Sequence, residues 1–423
     1  MAITTIRILI LTLLTFLVAI LKQPLSHRYE LFGFGRALHP ASNIHGSDLR
    51  KLPKTPHTED LHYHAPSGLL FGASESDTAC RWSWFPPNEA LDSSKGCHHG
   101  QGTFVVVDPK TFEVTRLTLR GYLGAFVTHG IDIYSPPGAP DTVYIFAVNH
   151  LKNPAHNHSR STEPVARSRV ELFRHTVGDQ YAEHIRSIWH PLIRTPNDVL
   201  AISENEFWVT NDHLYLSGPM RLLEDILLSG APWTDLVHVA ISSQKSANDS
   251  KSVEASVAIQ ELQNNNGLGR GWQEDEILVG RAVAGVLSVL RPKSANAREL
   301  ELVEEVQLGS CVDNPTYFHD PFASKTGRDA SGYVMAGLAT GFTWPNRERN
   351  PVIVWLLRPE AEEDGERRWK QTIIFRDDGK TISSGSTGVI TAIDPEKNAG
   401  KKEGWLWVTG PVSEAVVVSR IPL

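Results

Sequence analysis

An all-β fold is what the sequence predicts, on three observations. Short runs rich in Val, Ile, Tyr, Phe and Trp recur from Gly68 to Arg420, and Gly, Pro, Asn and Asp separate them. No helix of crossover length stands between the runs, which argues against a parallel α/β sheet and leaves sandwiches, barrels and propellers.

The first residues are of another kind. Residues 8–21 (ILILTLLTFLVAIL) are apolar but for Thr12 and Thr15, between Arg7 and Lys22, the pattern of a signal peptide or signal anchor over residues 1–22. No small-x-small cleavage site follows, so a retained hydrophobic helix and a cleaved signal are both open, with a buried core helix as the alternative. The segment offers membrane or lipid association. Sequons at Asn157 and Asn248 agree with the secretory pathway and a membrane-anchored or extracellular location. Residues 23–57 read as a Pro/His/Ser-containing approach segment without periodicity, and residues 58–423 as the β domain.

Within that domain the runs are 68–73 (GLLFGA), 103–107 (TFVVV), 112–119, 142–148 (TVYIFAV), 170–175, 207–210 and 286–290. They continue at 333–338, 352–357, 372–375, 405–408 and 415–420. About 370 residues would give six four-stranded blades roughly 60 each, which permits a propeller, although no Gly-His…Trp-Asp repeat is visible. Residues 220–228 (MRLLEDILL) have the spacing of a short amphipathic helix, either packed on the β core, the preferred reading, or a lid or membrane-facing element. Residues 242–256 and 359–368 read as solvated loops.

Composition removes several functions. Lys and Arg number 41 against 48 Asp and Glu, a formal charge of −7, which excludes a basic nucleic-acid binder. Hydrophobic residues at 41% with 21% charged exclude a disordered chain, and 3 Cys cannot build a disulfide scaffold. Cys80 and Cys97 bracket one loop, whose closure would contribute roughly 3 kcal/mol. That pair is preferred over one with Cys311, and three free thiols are the other possibility. No Gly-x-Ser-x-Gly, Walker A or His-Glu-x-x-His run is present. The triplets His62-Tyr-His64, Cys97-His-His99 and His156-Asn-His158 read as exposed loop residues rather than zinc ligands.

Acidic and amide residues beside apolar runs carry the functional signal. Glu59-Asp60, Asn197-Asp198, Asn266-Gly267 and Asp313-Asn314 each adjoin a strand-like run, where unsatisfied oxygens are costly. Hard cations satisfy such oxygens, calcium with six to eight of them, although each pair alone is also a common turn motif. His129 opens HGIDIY and His150 ends TVYIFAVNH, both at strand borders where an imidazole can relay a proton.

The order TEDL…PSGLLF, HGI…DTVYIFAVNH, HPLIRTPNDVLAISENEFWVTNDH, VDN and GST resembles the serum paraoxonase/arylesterase family. The likeness runs from about Thr58 to the C-terminus with insertions and is densest between His129 and His213. It implies a six-bladed β-propeller with an N-terminal hydrophobic helix, two calcium ions in the central tunnel, and hydrolysis of lactones and aryl esters. The implied partner is a small-molecule lactone or ester, with no nucleic acid. Glu59, Asn197, Asn266, Asp313 and Asn314 match the family's ligands for a catalytic calcium. Asp60, Asp198 and the Ile131 carbonyl match those for a structural one. His129 and His150 match a proposed histidine dyad, and Asp212 and His213 a supporting pair. Asn266 is chosen over Asn264 and Asn265 because it directly precedes glycine. Three departures stand out: no Cys can tie the first strand to the last, GLATGFTWPN lacks a pocket histidine some relatives carry, and the Cys80 to Cys97 loop looks inserted. The alternatives are an enzyme like gluconolactonase or strictosidine synthase, and a noncatalytic propeller stiffened by calcium.

Overall fold

Apolar runs that the sequence marks as continuous become inner and middle strands of antiparallel sheets, because neighbouring sheets cover both their faces. The computed structural model describes residues 26, 28–36, 38–92, 101–156, 163–227, 231–242, 252–341, 349–360 and 367–423. Six sheets follow one another around a ring, a six-bladed β-propeller. Each begins with an inner strand: Leu61–His64, Thr128–Tyr134, Pro196–Ser203, Asn265–Arg270, Pro315–Phe318 and Gly388–Ala392 in blades one to six. Burial follows position within a blade. The inner strand of blade three is buried over its first six residues, whereas its outer strand, Val253–Leu262, alternates with solvent. Blade two gains a fifth strand, Thr118–Arg120, parallel to Tyr181–Ile188.

The core is distributed rather than central. One apolar cluster sits at each junction between adjacent blades: Phe71 and Phe104 meet Ile131 and Phe173 between blades one and two. Phe146 meets Phe207 at the next junction, Leu200 meets Leu268, and Leu278 meets Met335. Val334 meets Ile390 between blades five and six, and Leu61 meets Trp407 where six returns to one. A separate small cluster, Cys80, Trp84, Phe85, Val127 and Ala166, lies under the loop after Glu75.

The ring is closed by a strand from the approach segment. Ser47–Lys51 pairs antiparallel with Val417–Pro422 as the outer strand of blade six. Upstream, Ile44 bridges Arg376, and His45 Nε2 lies 2.8 Å from Asp377 Oδ2. The domain therefore takes in residues before 58.

The helix at Pro219–Leu227 forms where the spacing places one, but it is mounted the other way round. Arg221 and Glu224 face the protein, while Met220, Leu222, Leu223 and Leu227 are exposed. Polar contacts explain the inversion: Glu224 accepts from the Leu214 and Tyr215 amides, and Arg221 pairs with Asp225. Among the described residues no helix is long and apolar enough to cross a membrane. The stretch at 8–21, Cys97, Asn157 and Asn248 lie outside the described residues. Cys80 is buried and Cys311 is a buried free thiol.

Candidate metal and catalytic centre

Each inner strand points its N-terminal end at the ring axis, so one or two residues from every blade meet there. Blade one brings Glu59 and Asp60, blade two His129 and Ile131, blade three Asn197 and Asp198. Blade four brings Asn266, blade five Asp313 and Asn314, and blade six Ser386 and Thr387. Close approach needs small residues: a Cβ on Gly267 would fall 2.1 Å from Asn314 Oδ1, and one on Gly130 2.2 Å from Asp198 Oδ1.

Glu59 is fixed by neighbours that leave one oxygen open. Its Oε1 accepts from Asn314 Nδ2 at 2.9 Å, and its carbonyl accepts from Thr409 Oγ1 at 2.7 Å and from Ser386 Oγ. Thr387 Oγ1 lies 2.9 Å from Asp60 Oδ1 and accepts from Asn314 Nδ2 at 2.9 Å. Five buried oxygens of this group have no hydrogen-bond partner: Glu59 Oε2, Asn197 Oδ1, Asn266 Oδ1, Asp313 Oδ1 and Asn314 Oδ1. Burial, and then the charge of Asp60, pushes Glu59 up. Asp313 is pushed well up by burial and then by Glu59 and Asp60. Two such carboxylates without a paired base are unfavourable unless a cation joins them. Among the described residues no group of three or more His, Cys, Asp or Glu is placed to hold a metal. The open set is two carboxylates and three amides, all oxygen, which suits calcium rather than zinc.

Asp60, Asp198 and Ile131 are also brought together, but the chain already engages their carboxylates. Asp60 accepts from the Leu61 and Ile131 amides and from His62 Nε2 at 2.8 Å. Asp198 accepts from the Val199 and Leu268 amides at 2.7 and 2.6 Å. For Asp60 burial acts upward, yet the His62 charge and these bonds hold it below the ordinary value; Asp198 is pushed well up by burial and by Asp60. Each Asp198 oxygen accepts one amide and keeps a lone pair toward the axis, so these bonds orient the carboxylate without using all of its acceptor capacity. His62 and His64 correct the sequence expectation of an exposed loop: they lie on the inner strand of blade one, His62 between Asp60 and Asp132 and His64 against Ser67 and Ser135.

Four of the open-oxygen residues, Glu59, Asn197, Asn266 and Asp313, line one cavity of about 360 Å³ together with His129. His150 stands behind His129, its Nε2 3.1 Å from His129 Nδ1 and its Nδ1 2.8 Å from Ser168 Oγ. Burial pushes His129 down to about 3 against the opposing charge of Asp212, and pushes His150 well down with His129 adding to it. Both rings are therefore neutral bases. Asp212 and His213 form an ion pair at 3.0 Å, and Asp225 lies 3.3 Å from the other imidazole nitrogen. Against the opposing effect of burial, those carboxylates raise His213 to about 9, so it is a cation rather than a base. Asn197 Nδ2 donates to Asp212 Oδ2 at 3.5 Å, which leaves its Oδ1 free to turn inward. Sequence reasoning did not single out Ser168, Thr409, Phe85 or the hydroxyl of Thr387; only the GST run hinted at the last.

Comparison with known proteins gives the chain a family. The profile of the arylesterase family matches residues 107–324, more than half of the chain. Serum paraoxonase/arylesterase 2 of Gallus gallus is 35% identical over 120 residues, covering 28% of this chain and 29% of that protein. Serum paraoxonase/lactonase 3 of Rattus norvegicus is 29% identical over 232 residues, covering 55% and 52%. The chain thus spans about half or less of the length of these curated relatives. Among solved structures, a luciferin-regenerating enzyme aligns over 89% of this chain and 95% of its own, at 11% identity and a TM-score of 0.44.

Proposed function

Because the chain belongs to the arylesterase family, we propose that it hydrolyses small esters or lactones at the ring axis with a bound calcium ion. The observation that carries this reading is the set of five open buried oxygens, four of them on the cavity that His129 lines. Glu59, Asn197, Asn266, Asp313 and Asn314 would hold the ion, and bound there it supplies Lewis-acid polarisation of the substrate carbonyl. His129, neutral and facing the cavity, accepts the proton of the attacking water. As His129 gains that proton on one ring nitrogen it passes the proton on its Nδ1 to His150 Nε2, and Ser168 fixes which way the His150 ring faces. Apolar walls from Phe32, Phe85, Val283 and Leu338 cover the substrate and exclude bulk water.

The test is turnover of phenyl acetate and a δ-lactone by the purified protein, with calcium titrated calorimetrically in parallel. Activity lost in chelator and restored by calcium, with Asp313→Ala folded but neither binding nor turning over, is the expected result. Full activity in chelator, or in folded Asp313→Ala, would sink it. Calcium binding without turnover of any ester or lactone would instead mark a noncatalytic propeller.

A further inference from the structure

We propose that Arg81, Trp84 and Phe85 form a clamp that positions the His129 and His150 rings; the inference rests on reading those histidines as the proton relay. The three residues belong to the loop between the second and third strands of blade one, where Asp77 caps the helix Thr78–Ser83 by accepting from the Cys80 amide at 2.9 Å. All three are almost fully buried, and Trp84 and Phe85 belong to a cluster separate from the six blade junctions.

Each residue controls a different part of the pair. Trp84 Nε1 donates to the His150 carbonyl at 2.9 Å, which pins the backbone of one histidine. Arg81 Nη2 donates to the carbonyl of Thr128 at 3.0 Å, which pins the residue before the other. Phe85 meets both imidazoles edge to face, at 4.8 Å and 81° for His129 and 5.5 Å and 89° for His150. Arg81 in turn stacks 4.3 Å over the Phe85 ring, so the residue that holds Thr128 also holds the ring that sets both imidazole planes. The contact between the imidazoles is directional, and tilting either ring breaks it.

Simple packing accounts poorly for this arrangement. Burying a guanidinium costs several kcal/mol unless it is compensated, and Arg81 Nε and Nη1 have no hydrogen-bond partner. A leucine or methionine would fill the volume without that penalty. The charge of Arg81 is answered in part by the buried carboxylates of Glu75 and Glu59, but neither bonds to it, and its planar group spends its hydrogen bond on Thr128 and its face on Phe85. The clamp also reaches the substrate, because Phe85 walls the cavity in front of His129.

Trp84→Phe and Arg81→Met, made in the full calcium-loaded chain, test this beside His129→Gln. For phenyl acetate, kcat should fall roughly 10- to 100-fold with KM within about threefold, the loss expected when a catalytic group is misplaced by an ångström or less. Calcium affinity should stay unchanged in Trp84→Phe and should not fall in Arg81→Met, which removes a positive charge acting on Glu59, and the imidazole ¹⁵N resonances of His129 and His150 should shift in both clamp variants. Trp84→Phe keeps an aromatic ring and decides the matter if Arg81→Met does not fold. Wild-type kcat and unshifted resonances overturn the clamp, as does a lower melting midpoint with kcat intact. His129→Gln inactive beside fully active clamp variants overturns the clamp alone, whereas His129→Gln fully active overturns the relay and the clamp together.

Discussion

Asn264, Asn265 and Asn266 carry the same amide, yet the backbone gives each a different use. Asn264 is left-handed, with φ of 47°, and its side chain is consumed by the turn: Nδ2 donates to the Asp212 carbonyl at 3.2 Å and Oδ1 accepts from the Val283 amide at 3.1 Å. Asn265 also has a buried Oδ1 without a partner but falls on the other face of its strand and does not line the cavity, whereas Asn266 does, with Oδ1 open. Asn266→Ala should therefore weaken calcium about tenfold or more in a calorimetric titration, since it removes a ligand rather than an outer-shell partner. Asn264→Ala should lower stability by about 1–2 kcal/mol with calcium affinity nearly kept, because it breaks turn hydrogen bonds. Equal loss of calcium in both would reverse the assignment. Glu59, Asn197 and Asp313 stand out in the sequence as charge or amide beside an apolar run, yet each pair is also a common turn motif, and only the family resemblance singles them out as ligands. Thr409 and Ser168 leave no such mark, because hydroxyls bond locally in any loop; Ser386 is marked only by the GST run, and it meets Glu59 across 327 residues.

Elements were legible in proportion to their burial. Inner and middle strands announce themselves through runs such as TVYIFAV, because both faces are covered, while the strand that closes the ring, SDLRK, is exposed at all five residues and has no apolar face to betray it. The short helix was legible in place but not in orientation, because contacts of Arg221 and Glu224 outweigh the apolar stripe. Closure by a polar edge strand gives it a role out of proportion to its contacts. Without it, Val417–Pro422 is left with an unpaired edge and the first and last blades are joined only through side-chain packing. Truncation through Lys51 should lower the melting midpoint by roughly 10 °C, from a few lost backbone bonds worth about 1 kcal/mol each and the ring they close. Circular dichroism melting checks this, and an unchanged midpoint would mean that the Leu61 to Trp407 junction closes the ring alone.

At the scale of the whole molecule, the axis is a second closure. Glu59, Asn197, Asn266 and the Asp313–Asn314 pair come from blades one, three, four and five, so an ion held by all of them ties four blades at a point where apolar packing is absent. Part of the formal charge of −7 sits at the axis, where Glu59 and Asp313 are pushed up by burial and by neighbouring carboxylates, with only the more distant charges of Arg81 and His62 acting against this on Glu59. Without the cation these two carboxylates oppose closure through desolvation and the field of Asp60; with it they favour closure. Calcium should thus act on stability as well as on turnover, raising unfolding free energy by about 2.7 kcal/mol when free calcium is a hundredfold above its dissociation constant. Melting the protein in chelator and in excess calcium measures the gain, and the Ser47–Lys51 truncation run alongside shows whether the two closures cooperate. If both hold the same ring shut, the truncated chain should depend more steeply on calcium than the full one. Superimposable melts in chelator and calcium, for both chains, would show that the axis holds no structural ion.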